Sequence, residues 1–138
     1  MMVSRKLIIA ALSTCCALGS VSALAATATP AAKASVANHD TDNDKTLDLA
    51  EVKAAAAAHF DKINKDGDST LETKEVHGIL GKKAFKAADP DNDGSLSKDE
   101  YLALVEKLFK KADVDHEGTL DALELSSKSG TALRKLIG

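Results

Sequence analysis

Tryptophan is absent from the 138-residue chain, and its aromatic complement is one tyrosine and three phenylalanines. Much of the apolar fraction is alanine, which excludes a core built on large interlocking rings. Cysteine is nearly absent as well. Cys15 and Cys16 are the only two, both inside the first 25 residues, so the remainder has no disulfide to brace it. A small scaffold with neither large core side chains nor disulfides needs another staple, and a bound metal ion is a common one. Long apolar runs are missing too. Leu7 to Leu18 is too short to cross a bilayer comfortably.

That apolar stretch has a different meaning. Arg5 and Lys6 precede it and Ala23-Leu24-Ala25 follows it, the arrangement of a cleaved export signal over residues 1–25. Lipid attachment does not fit, because Thr14 precedes Cys15 and a cysteine precedes Cys16. The length allows one domain. Residues 26–37, rich in Ala, Thr and Ser with Pro30, read as a flexible leader, and residues 38–138 as the folded domain. Removing Arg5 and Lys6 from the 18 basic residues leaves 16 against 21 acids, a net charge of −5.

Those acids are sharply segregated by an internal repeat. Four twelve-residue segments align without gaps, starting at Asp40, Asn64, Asp89 and Asp113. Position 3 is Asp42, Asp66, Asp91 and Asp115; position 5 is Asp44, Asp68, Asp93 and Glu117. Position 7 is Thr46, Thr70, Ser95 and Thr119, and position 9 is Asp48, Glu72, Ser97 and Asp121. Position 12 is always Glu: Glu51, Glu75, Glu100 and Glu124. Position 8 is always Leu: Leu47, Leu71, Leu96 and Leu120. These segments hold 18 of the 21 acids, leaving Asp61, Asp99 and Glu106 elsewhere. A solvated acidic face would not place its charges at alternating positions and leave the spacers basic.

The pattern resembles the EF-hand family, whose loops turn oxygens at positions 1, 3, 5, 7, 9 and 12 onto a hard cation. Position 7 contributes a backbone carbonyl and Glu at 12 both carboxylate oxygens. The resemblance therefore implies a metal-ligand set of Asp40, Asp42, Asp44, Thr46, Asp48 and Glu51 in loop 1, and Asn64, Asp66, Asp68, Thr70, Glu72 and Glu75 in loop 2. In loop 3 it implies Asp89, Asp91, Asp93, Ser95, Ser97 and Glu100, and in loop 4 Asp113, Asp115, Glu117, Thr119, Asp121 and Glu124. Only loop 3 obeys the strict motif. Lys45 and Ser69 stand at position 6 of loops 1 and 2, where glycine is usual and a left-handed backbone costs other residues on the order of 1 kcal/mol. The leucine at position 8 faces away from the ion, free to pair with a second loop.

The spacers Val52–Ile63, Val76–Ala88 and Tyr101–Ala112 each read as a helix, with Val52, Ala56, Phe60 and Ile63 on one face and Leu102, Val105, Phe109 and Ala112 on another. Twelve residues hold one helix rather than the usual exit and entry pair. The expected fold is therefore all-α: a compact up-down helical bundle whose four EF-hand loops are joined by short shared helices, loops 1 and 3 at one end, loops 2 and 4 at the other. Gly78 and Gly81 offer a break in the middle spacer and a different pairing. Loop 1 lacks a convincing incoming helix, and Leu133, Leu136 and Ile137 form a final apolar patch.

Four loops on spacers this short, behind an export signal, are similar to the lanmodulin-like periplasmic lanthanide-binding proteins. The resemblance spans residues 38–138, including Ser127 to Leu133. Those proteins typically open each loop Asp-Pro-Asp and carry an acid at position 9; here Asp89-Pro90-Asp91 keeps the proline, while Asp48, Glu72 and Asp121 keep the acid. The resemblance implies lanthanide(III) ions, up to four, with Ca2+ as the alternative, metal-induced folding, and a carrier, buffer or sensor role in the periplasm. Loops 1 and 4, with five carboxylates each, are expected to carry the strongest charge-driven preference for a trivalent ion. A sensor exposing an adaptable apolar groove to a protein partner is a second class, disfavoured because the only methionines are Met1 and Met2. Catalysis is not expected: His39, His59, His77 and His116 have no ligand spacing and read as exposed side chains. Nucleic acid and, after signal cleavage, membrane are not expected partners, since the helix lysines balance the loop acids.

Overall fold

The computed structural model describes residues 27–138. The segment expected to be an export signal, with both cysteines and both methionines, lies outside the described residues. The fold is all-α with two minimal sheets: helices α1 (Pro30–His39), α2 (Leu49–Ile63), α3 (Lys82–Ala88), α4 (Lys98–Ala112) and α5 (Lys128–Ile137), a 3-10 turn at Glu124–Ser126, and strands β1 (Leu47–Asp48), β2 (Thr70–Glu72), β3 (Ser95–Ser97) and β4 (Thr119–Leu120).

Helices α2 and α4 are the two shared rods, and the loops write their starts. Position 9 of loops 1 and 3 is the N-cap, and position 12 is the third helical residue. Asp48 accepts from the Glu51 N–H and Ser97 from the Glu100 N–H, while each glutamate accepts from the cap's own N–H, closing reciprocal capping boxes. Helix α2 buries Val52, Ala56 and Phe60, as its periodicity predicts. In α4 the buried face is Tyr101, Val105, Phe109 and Ala112; Leu102 is half-buried and Tyr101 takes its place. The Phe60 and Tyr101 rings meet edge to face at 5.5 Å. Ion pairs Lys53–Glu106 and Lys98–Asp61, both at 2.8 Å, bridge the two antiparallel rods at their surface.

The loop pairing corrects the expected arrangement. Strand β1 pairs with β4 and β2 with β3, so loops 1 and 4 share one end and loops 2 and 3 the other. The reason is the middle spacer, which does not form one helix. Gly78 sits at φ +87 and ends the turn after loop 2, and α3 begins only at Lys82, capped by Gly81 without a side-chain bond. The chain folds back there, bringing loop 3 beside loop 2. The position-8 leucines do pair across loops, Leu47 with Leu120 and Leu71 with Leu96, all fully buried.

Loop 1 also has an incoming helix, contrary to expectation. Helix α1 occupies most of the segment read as a flexible leader. Thr29 caps it, accepting from the Ala32 N–H, Pro30 opens its first turn, and Ala32 and Val36 are buried. The sequence signal is weak because the buried side chains are small and little distinguishes the two faces. Thr29 N–H donates to Ser126 Oγ at 2.8 Å, tying α1 to the 3-10 turn. The final apolar patch is core: Leu133, Leu136 and Ile137 are buried. No helix among the described residues is long and apolar enough to cross a membrane.

Candidate metal centre

Each loop is a tight coil with two left-handed residues. Position 6 is left-handed in all four loops: Lys45 at φ 74, Ser69 at 73, Gly94 at 84 and Gly118 at 88. So is position 4, occupied by Asn43, Gly67, Asn92 and His116. The second set was not singled out from the sequence, although Asn and Gly are the residues that enter this region most readily. These reversals let backbone N–H groups point inward at the ligand side chains.

Positions 1, 3 and 12 converge in three loops. Oxygens of Asp40, Asp42 and Glu51, of Asp89, Asp91 and Glu100, and of Asp113, Asp115 and Glu124 lie within 4.8 Å of one another in each trio. Loop 2 forms no such trio of carboxylates, because Asn64 stands at position 1 and its Oδ1 accepts from the Gly67 N–H at 2.8 Å. Asp66 and Glu75 remain in that loop, with Lys65 N–H donating to Glu75 Oε1 at 2.9 Å.

The carboxylate at position 5 is steadied by position 7. Thr46 donates from N–H and hydroxyl to Asp44 Oδ1, Thr70 likewise to Asp68 and Ser95 likewise to Asp93, at 2.6–2.9 Å. In loop 4 the Thr119 hydroxyl donates to Glu117 at 3.0 Å. The Thr46 hydroxyl accordingly holds the Asp44 carboxyl below its ordinary value, and the Thr70 N–H does the same for Asp68. Position 9 is differently employed. Asp48, Ser97 and Asp121 accept backbone N–H groups of the following turn, and the Glu72 carboxylate pairs with Lys74 at 2.6 Å. These side chains shape the loop exit and lie outside the trios.

The position-12 glutamates close the loops. Glu51 Oε1 accepts from the Thr41 N–H at 2.6 Å, Glu124 Oε1 from the Val114 N–H at 2.8 Å, and all four glutamates accept from the position-9 N–H at 2.9–3.2 Å. Position 1 is the most deeply buried of the acids in loops 3 and 4. Asp89 and Asp113 are only 5% and 8% exposed. One oxygen of each takes the glycine N–H of position 6, and the other, Oδ1, is buried with no donor at all. Burying a carboxylate oxygen unpaired is costly, and a cation is what relieves it. Crowding is visible beside it: the Asp89 carboxyl raises that of Asp91 above its ordinary value, the Asp93 N–H opposes, and the charges of Asp93 and Glu100 add to the rise. The donors are hard oxygens, crowded, negative and partly orphaned, which fits a hard cation.

The histidines play no part in these trios. His77 and His116 are exposed as expected, whereas His39 and His59 are half-buried against the C-terminus, His59 Nδ1 lying 3.0 Å from the Leu136 carbonyl.

Comparison with known proteins agrees with this geometry. No curated protein matches the chain. The family model described as EF hand matches residues 82–105 and again 104–127, the segments carrying loops 3 and 4 and the buried aspartates Asp89 and Asp113. The two matches and the three acid trios support the EF-hand superfamily and metal-ion binding through its loops.

Proposed function

We propose that the protein is an exported, periplasmic binder of hard metal ions that takes up trivalent lanthanides in its EF-hand loops and serves as their carrier, buffer or sensor. The observation that carries the reading is the unpaired Oδ1 of Asp89 and of Asp113, each buried at the head of a carboxylate trio. Loops 3 and 4 are the strongest sites on this ground. Loop 1 follows, its trio complete but with both Asp40 oxygens already accepting loop N–H groups. Loop 2, with an amide in place of the first carboxylate, is the weakest. A trivalent ion of calcium-like size gains half again as much attraction from a fixed set of carboxylates, at a larger dehydration cost, and acids at position 9 in loops 1, 2 and 4 tilt the balance toward it. A calcium buffer is the second reading, favoured by loop 3, where Ser97 occupies position 9 in the loop that best fits the calcium motif.

The ligand carboxylates repel one another until an ion arrives, so metal binding contributes folding free energy. Competition between calcium and lanthanum or terbium on the signal-free protein, by calorimetry and sensitised luminescence, tests both statements. The lanthanide should bind far more tightly, and helical circular dichroism and Tm should rise on loading. Comparable affinities would select the calcium reading. Uptake of neither ion by chelator-free protein would end the metal-binding reading altogether.

A further inference from the structure

A hollow of about 290 Å3 lies between the turn after loop 2, helix α4 and helix α5. Its floor is aliphatic, from Ile79, Leu80, Leu104 and Leu108, all half-buried against the core. Its rim is cationic. Lys128 and Lys135 line it, both exposed and neither in an ion pair among the described residues, and no acid lines it. A neighbouring hollow that shares Leu80 adds Lys82, with no acid in its lining; Lys74 also lines it but is paired with Glu72. Eighteen of the 21 acids lie in the loops and none lines either hollow, so this flank is apolar and positive.

The geometry points to this groove as a docking site for an acidic amphipathic helix of a partner protein. Charge and spacing both argue for that occupant. Lys128, Thr131, Ala132 and Lys135 form one stripe of α5, at intervals of three, one and three residues. The two lysines are therefore about 10.5 Å apart along the helix axis. Carboxylates seven residues apart on a helix alongside match that spacing, while its aliphatic side chains enter the hollow. A concave floor accepts protruding side chains and offers nothing to insert into a flat bilayer. Leucine and isoleucine supply the apolar surface without methionine, and the lysine stems extend it while keeping their charges in water. The rim charge selects acidic over basic helices by repulsion as well as attraction.

The test uses the protein in calcium-containing buffer and a fluorescein-labelled peptide of about 18 residues, long enough to form a helix, carrying a leucine stripe flanked by glutamates seven apart. Anisotropy should show saturable binding that weakens with added salt. The same peptide with lysine for glutamate should not bind. Lys128→Glu together with Lys135→Glu, on exposed side chains, should reduce affinity by roughly tenfold or more. Leu104→Ala should reduce it by about fivefold, with circular dichroism reporting that the fold is retained. Absence of saturable binding, equal binding of the basic peptide, or indifference to the double charge reversal would each overturn the proposal. So would binding to phosphatidylglycerol vesicles without binding to the peptide. Metal uptake is measured separately, so failure here leaves the metal-binding reading untouched.

Discussion

Asp89 performs two opposed duties, and the opposition is measurable. Its Oδ1 is buried without a donor, which burdens the metal-free protein, and its carboxylate belongs to the trio that would face an ion. Asp89→Asn removes the buried charge and keeps an oxygen for the Gly94 N–H. It should raise the stability of metal-free protein by about 1 kcal/mol and lower the affinity of loop 3 by roughly tenfold or more. Chelator-treated melts and metal titrations read these opposite signs. Lys45 is a simpler case. It holds φ 74, where a side chain is strained, in a position that glycine fills in loops 3 and 4. Lys45→Gly relieves that strain and adds some unfolded-state freedom, leaving a net gain of about 0.5 kcal/mol in urea melts. The acids at positions 1, 3 and 12 that converge in loops 1, 3 and 4 were legible in the sequence from their regular spacing. The second left-handed position was less so, since Asn43, Gly67, Asn92 and His116 share a backbone requirement and no side-chain chemistry.

Helices in this chain begin where loops end, and the shared residues join two functions. Asp48 and Glu51, or Ser97 and Glu100, close a capping box and also stand at positions 9 and 12 of a loop. The α2 and α4 rods were therefore readable from the same columns that mark the loops. Helix α1 was not, because Ala32, Ser35 and Val36 bury little apolar area and the helix owes its place to Thr29 and the 3-10 turn. Helix α5 seats against that turn through Gly130. A Cβ there would collide with the Glu124 carbonyl and the Leu125 backbone, neither of which can yield as a flexible side chain would. Gly130→Ala should cost about 2 kcal/mol or more, seen as a lower Tm. It should also weaken loop 4, whose Glu124 belongs to the displaced turn.

Across the whole molecule, two loop pairs sit at opposite ends of antiparallel rods that surface charges help align. Glu106 is the hub on one side, accepting from Lys110 at 2.7 Å and Lys53 at 2.8 Å, and these two cations hold its carboxyl down to about 2, from an ordinary 4.5. A carboxyl depressed on folding stabilises the fold above its unfolded value and loses that contribution as pH falls. The Glu106 contribution is thus complete above about pH 4.5 and disappears between there and about pH 2. In chelator-treated protein, Glu106→Gln should lessen the fall of stability across that window and leave the slope at neutral pH unchanged, which melts from pH 2 to 7 would check. The sequence by itself determined the four loop segments, their columns of acids and the two shared helices, because each rests on short-range rules: loop spacing, capping and helical period. Tertiary structure alone decided which loops are partners. A uniform alternation of loop and rod places loops 1 and 3 together. The turn at Gly78 and the late start of α3 at Lys82 reverse the chain once more and set Leu71 against Leu96 and Leu47 against Leu120. Once the chain has reversed, the four leucines are buried in pairs, an energy that no single segment carries.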